Sequence, residues 1–188
     1  MKKMYVVLAV LLVIVIGAIG IILGQYNGLV TLNEQITGRW SEVENQLQRR
    51  GDLIPNLVNT VKGYAKHEKE IFEDVAAARA RLAGARTVGE KIQANQQMDG
   101  VLSRLLAIAE NYPQLKADEN FRQLQDELAG TENRIAVARG RYNETVQSYN
   151  IATRRFPGNI IAAIFNFTRK DVYFKAEEKA KTVPQVQF

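Results

Sequence analysis

The side chains that do most enzyme chemistry are scarce in this sequence: one histidine, His67, no cysteine, and the serines Ser41, Ser103 and Ser148. Metal chemistry in helical bundles uses Glu-x-x-His motifs on two different helices, and a single histidine cannot build that site. The stretch "HEKEI" from His67 resembles the start of a zinc-protease motif but has no second histidine four residues on. No serine lies in a glycine-flanked elbow, there is no thiol nucleophile, and no phosphate-binding glycine loop is present. His67 has no identifiable orienting partner for general-base work and reads as structural or exposed, with a pH-sensing role left open. These residue types exclude the common enzyme classes, and neither a cofactor nor a metal is expected.

One charged residue is more informative. The series Ile54, Leu57, Val61, Tyr64, Glu68, Ile71, Val75, Ala78, Leu82 steps by threes and fours, and Glu68 is its only charged member. A carboxylate in a helical seam needs a cation, because burying it alone is costly. The stretch "TENRIAVARGRYN" supplies Arg134, Arg139 and Arg141, so the expectation is an inter-helix ion pair centred on Glu68 and Arg139. A functional polar site is the alternative.

The elements that would carry these residues are helices throughout. Met4 to Leu23 contains no charged residue, and its 20 residues at about 1.5 Å each span roughly 30 Å, the thickness of a bilayer core. The reading is a transmembrane helix over 4–24 after a short flank, 1–3. A cleaved signal peptide competes, given Lys2, Lys3 and "GAIG" at 17–20, but the apolar run continues through Leu23. A bundle over 25–156 follows, with amphipathic helices predicted near 26–50, 53–82, 89–112 and 118–155. In "RRGDLIP" the sequence pattern predicts a joint: Gly51 closes one helix, Asp52 caps the next, and Pro55 falls in the new first turn. A kink in one continuous helix fits the same residues. No stretch alternates as a strand does, so the fold class is all-α, an antiparallel bundle of long helices behind a membrane anchor.

Antiparallel alternation would return the last long helix towards the membrane. The segment that follows it, 157–188, is then an apolar and basic tail near the bilayer. Ile164 and Phe165, with neighbours Ile160, Ile161 and Phe167, would face lipid, and Arg169 and Lys170 would stand at headgroup level. From Arg154 to Lys181 there are seven basic and three acidic residues. Packing of this segment on the end of the bundle is the equal alternative. Basic residues elsewhere are matched by acids, which argues against nucleic acid.

Three separated stretches, "RRGDLIPNLVNTVKGYAKHE", "AENYPQLKADENFRQLQDELAGTENRIAVARGRYNETVQSYN" and "FPGNIIAAIFNF", resemble the LemA family of bacterial membrane proteins over about Tyr26 to Phe174. The resemblance implies an N-terminal membrane anchor and a helical bundle, and it supplies no reaction. A magnetosome protein of that family is associated with making organelle membranes, so the resemblance implies a membrane-organising role. The functional expectation is a non-enzymatic scaffold that contacts lipid, self-associates as a homo-oligomer and organises the membrane. The alternative is a tethered module or sensor that holds a protein or peptide of the envelope. Lys2 and Lys3 place the N-terminus in the cytoplasm of a single-pass inner-membrane protein, with the bundle outside. The basic tail argues the other way, towards an anionic cytoplasmic leaflet.

Overall fold

The computed structural model describes residues 2–174, and among these residues every regular element is a helix. Six follow in order: α1 Lys2–Tyr64, α2 Lys69–Gly84, α3 Val88–Ala109, α4 Pro113–Ala117, α5 Glu119–Ala152 and α6 Gly158–Ile164. The all-α expectation is met. The chain divides into two units, one of residues 1–40 and 141–171, the other of residues 41–140 and 172–188.

Helix α1 corrects the expected joint. Gly51, Asp52 and Pro55 all lie inside it, and no described glycine has the positive φ that would close a helix. Asp52 is exposed and lies within α1, so no helix starts there for it to cap. A proline in a helix interior removes the bond to residue i−4 and crowds that carbonyl, at a cost of about 3 kcal/mol. Here residue i−4 is Gly51, which has no side chain and open space where a Cβ would stand. The apolar seam carries the helix across: Leu47, Ile54, Leu57 and Val61 are all buried. Burying four such residues stabilises by several times about 1.5 kcal/mol, which exceeds the proline penalty.

The real break comes ten residues later. Val61 accepts from the Ala65 amide at 2.8 Å, the Glu68 amide donates to Ala65 at 3.2 Å, and α2 begins at Lys69. The long seam read from the sequence is therefore two shorter ones: Ile54, Leu57 and Val61 on α1, then Ile71, Val75 and Ala78 on α2. Glu68 looked anomalous in that seam because it stands in the turn between them.

In the second unit these seams enclose the main core with Met98, Leu102 and Leu105 of α3, Leu115 of α4, and Phe121 and Leu128 of α5. Its helix starts are set by side chains. Thr87 and Glu90 form a reciprocal capping box at α3, and Asp118 accepts from the Phe121 amide at 2.9 Å to cap α5, where the sequence pattern starts a helix near residue 118. Pro113 does more than end α3: it opens α4.

In the first unit, α1 supplies the apolar stretch and the turns after it, α5 its C-terminal turns, and α6 a short helix packed on both. Leu29, Ile161 and Ala162 are buried together, flanked by Tyr26, Ala152 and Phe167. Gly158 makes this possible, because a Cβ there would lie 2.3 Å from the Ala152 carbonyl oxygen and 3.5 Å from Gln25 Oε1. The apolar stretch itself is exposed along its length, including Val6, Leu12, Ile16 and Leu23.

Candidate functional site

Two places in the molecule gather residues that could act, and they differ in kind. The first is α6 and its surroundings in the first unit. Tyr26 meets the ring of Phe165 at 4.7 Å and that of Phe167 at 5.7 Å between centroids. The inner face of α6, Ile161 and Ala162, is core. The outer face is bare: Ile164 is 66% exposed, Ile160 and Phe165 are 48% exposed, and Phe156 just before the helix is 75% exposed. The expected lipid patch is thus split: Ile161 is buried and Phe167 is packed on Tyr26, Phe165 meets Tyr26 with one part and is exposed with the rest, and Ile160 and Ile164 remain outward.

The basic residues beyond α6 are held more firmly than their sequence suggested. Arg169 pairs with Asp171 at 2.6 Å. Asn150 grips the Lys170 backbone from both sides, its amide donating to the Lys170 carbonyl at 2.7 Å and its oxygen accepting the Lys170 N–H at 2.9 Å. The Lys170 ammonium lies 5.9 Å from the Tyr149 ring, and the Tyr149 hydroxyl donates to the Thr168 carbonyl at 3.0 Å. Burial raises the pKa of that phenol above its ordinary value. Lys175, Lys179 and Lys181, the remainder of the basic tail, lie outside the described residues.

The second place is a buried polar cluster in the second unit. Arg50 of α1 is only 3% exposed in a seam otherwise made of Val43, Leu47, Ile54 and Leu57. Its Nη1 stands 2.5 Å from Asp99 Oδ1 of α3 and donates at 2.5 Å to Glu132 Oε2 of α5, while Nη2 donates to Asn95 Oδ1. Arg139 of α5 completes the group at longer range, 3.5 Å from Asp99 and 3.8 Å from Glu132. Phe174 lies over its guanidinium at 5.3 Å. The Nε atoms of Arg50 and Arg139 are buried without a hydrogen-bond partner among the described residues. A groove of about 550 Å³ opens here, its lining including Arg50, Asp99, Glu132 and Arg139 together with Leu102 and Leu128.

The pair expected between Glu68 and Arg139 does not form. Glu68 accepts from the Tyr112 hydroxyl at 3.1 Å in its turn, and that hydrogen bond, with burial and the nearby carboxylate charge, raises the phenol's pKa. Arg139 is engaged with Asp99 and Glu132. Sequence reasoning missed Arg50, which stood at the end of a helix expected to close at Gly51. The available signal was spacing: 43, 47, 50, 54 continues the seam unbroken if the helix does not stop. His67 is exposed in the turn, and among the described residues no group of three His, Cys, Asp or Glu is placed to hold a metal ion.

The sequence profile of the LemA family matches residues 39–188. This chain belongs to the LemA family. Among curated relatives, the magnetosome protein MamQ 1 of Paramagnetospirillum magneticum is 27% identical, the match covering 89% of this chain and 71% of the relative. MamQ of Magnetospirillum gryphiswaldense is 26% identical over 95% of this chain and 76% of its own length. Protein LemA of Metamycoplasma hominis is 23% identical over 87% and 73%. None of these names denotes an enzyme. Membership accords with the helical fold and with the single N-terminal helix long and apolar enough to cross a membrane.

Proposed function

We propose that this LemA protein is a non-enzymatic, single-pass membrane scaffold whose first unit is seated on the bilayer by α6. The observation that carries the reading is where α6 packs. It lies against Gln25, Tyr26 and Leu29, which follow the apolar stretch ending at Leu23. At about 1.5 Å per residue these positions stand roughly 3 to 9 Å beyond the stretch's end, the depth of a membrane interface. An exposed set of Phe156, Ile160, Ile164 and Phe165 at that depth has lipid as its natural solvent.

Self-association is supported by a row in the same helix. Gly20, Gly24 and Gly28 recur every four residues, each with open space where a side chain would be. Close helix approach in membranes uses this spacing. Clustering of many anchored copies, each touching the lipid surface twice, would organise the membrane by avidity. Two of the relatives are magnetosome proteins, which agrees with this role. Lys2 and Lys3 favour an N-terminus in the cytoplasm and a bundle outside the inner membrane.

A second reading rests on the second unit's groove, whose lining combines the charged Arg50, Asp99, Glu132 and Arg139 with the apolar Leu102 and Leu128. Such a groove would suit a peptide carrying carbonyl acceptors, making the protein a tethered binding module.

The chain has no cysteine, so single introduced ones give unique labels. In the full-length protein reconstituted in liposomes, a spin label at Ile164→Cys should be shielded from aqueous relaxation agents and reached by oxygen. A label at Gln147→Cys, on the exposed surface of α5, should behave oppositely. Equal aqueous access at both positions would overturn the seating on the bilayer. Electron microscopy of detergent-purified protein tests the assembly: rings or lattices support the scaffold, and discrete monomers or dimers support the binding module.

A further inference from the structure

We infer that Arg154 and Arg155 form a headgroup site selective for anionic phospholipids, a function the sequence pattern had assigned to Arg169 and Lys170. The inference rests on the seating of α6 and adds the class of lipid it takes. Both arginines lie in the two turns between α5 and α6, are exposed, and have no side-chain partner among the described residues. Their backbones are fixed nonetheless: the Arg154 and Arg155 amides both donate to the Ile151 carbonyl, at 3.1 and 2.9 Å, and the Arg155 carbonyl accepts from Asn159 at 2.9 Å. Among the described residues, then, these guanidiniums have no counter-ion, and their support is ordered. Arg169, by contrast, already has Asp171 as its counter-ion.

Within the described residues, the adjacent segments hold nothing that would neutralise them. No acidic residue occurs from 24 to 33 or from 145 to 170, the segments that make this end of the unit. Phe156, the most exposed large apolar side chain in the described residues, immediately follows Arg155, and Ile160 lies one turn into α6. Two planar cations beside a protruding ring and an aliphatic side chain match a phospholipid's phosphate and its first acyl carbons. Guanidinium takes phosphate by paired N–H donors, and a net negative headgroup leaves that attraction uncancelled. A zwitterionic headgroup offers the same phosphate with a cation attached, so it should bind less well.

Trp40 is the chain's single tryptophan and belongs to the same unit, which makes it an internal donor for energy transfer. Full-length protein in liposomes of phosphatidylcholine would receive acyl-chain dansyl phosphatidylglycerol or dansyl phosphatidylcholine, and transfer from Trp40 would report their relative enrichment around the protein. The parent should prefer phosphatidylglycerol. Arg154→Gln with Arg155→Gln should reduce that preference, by about fivefold for each arginine and about 30-fold at most for both. High salt should weaken the parent's preference in the same direction. Arg169→Gln should change it little. Free glycerol phosphate at millimolar concentration should not compete, which separates a lipid site from a phosphate site.

A preference unchanged in the double variant would overturn the headgroup site, even with the Ile164 label still immersed. Loss of immersion at Ile164 with the parent's preference intact would instead count against the seating by α6. Unaltered helix content in the double variant, measured by circular dichroism, separates lost recognition from lost folding.

Discussion

Two pairs of arginines in this chain have opposite circumstances. Arg50 and Arg139 lie in the second unit among Asn95, Asp99 and Glu132, with Arg50 almost wholly withdrawn from water. Arg154 and Arg155 lie in the first unit, exposed, beside bare aromatic and aliphatic side chains and with no acidic residue in the stretch 145–170 around them. A buried guanidinium must find its counter-charges inside the protein, and so it specifies how helices meet. An exposed one has no such requirement. When it stands unpaired beside apolar surface, its partner is sought outside the chain. Residue type alone therefore says little; burial and neighbouring charge decide whether an arginine serves the fold or a ligand.

The sharpest way to break this comparison is to remove a buried member. Arg50→Met leaves Asp99 and Glu132 facing each other with only the distant Arg139 between them. The expected loss of stability is about 3 to 5 kcal/mol, read from denaturant unfolding of the second unit's helices. Combining Arg50→Met with Asp99→Leu should recover about half of that, because the uncompensated charge, rather than the missing guanidinium, carries most of the cost. A single variant as stable as the parent would mean that Arg50 is not held by charge, and the contrast between the pairs would collapse.

How far these roles were legible in sequence follows from the same distinction. The apolar stretch, the seams of α1, α2, α3 and α5 and the Asp118 cap could be read from spacing, since each depends on local periodicity or on one side chain reaching its own backbone. The stop at Gly51 was misread because glycine, aspartate and proline together mimic a helix boundary, and only burial of residues on both sides shows that the helix continues. The Arg50 cluster joins α1, α3 and α5 across 82 residues, a pairing that no local pattern encodes. The outward face of α6 was half legible. Its apolar run is plain, but which members turn inward depends on Gly158 allowing close approach to Ala152, a tertiary fact.

Asp118 gives a test of intermediate size and a pH dependence. Its carboxylate is half-buried, and it accepts from the Phe121 amide and, at 2.9 Å, from the Tyr64 hydroxyl. The backbone bond first, then the phenol, hold its pKa below the ordinary carboxylate value. A depressed folded-state pKa stabilises the fold above the unfolded value of about 4, and this stabilisation is lost as pH falls through the lower folded value. Asp118→Ala should therefore lower the melting temperature at neutral pH by less than Arg50→Met does. The gap between variant and parent should close on acidification below about pH 4. A gap that persists at strongly acidic pH would show that packing at this helix start, rather than the ionised cap, supplies the difference.

The smallest expected effect on folding is also the one that bears hardest on the comparison. Arg154→Gln with Arg155→Gln removes two positive charges that make no side-chain contact within the described residues. Their backbone hydrogen bonds at Ile151 and Asn159 do not depend on side-chain identity. Substitutions at exposed sites of this kind change stability by about 0.5 kcal/mol or less, and relief of repulsion between the adjacent cations could even make the change favourable. Unfolding of the detergent-solubilised protein should accordingly coincide with that of the parent. With anionic lipid added, the two should separate, because a ligand that binds the folded state stabilises only the chain that still binds it. Coincident curves with and without that lipid would leave the second arginine pair without a partner on either side. A destabilised variant in neutral detergent would place Arg154 and Arg155 with Arg50, as residues serving the fold.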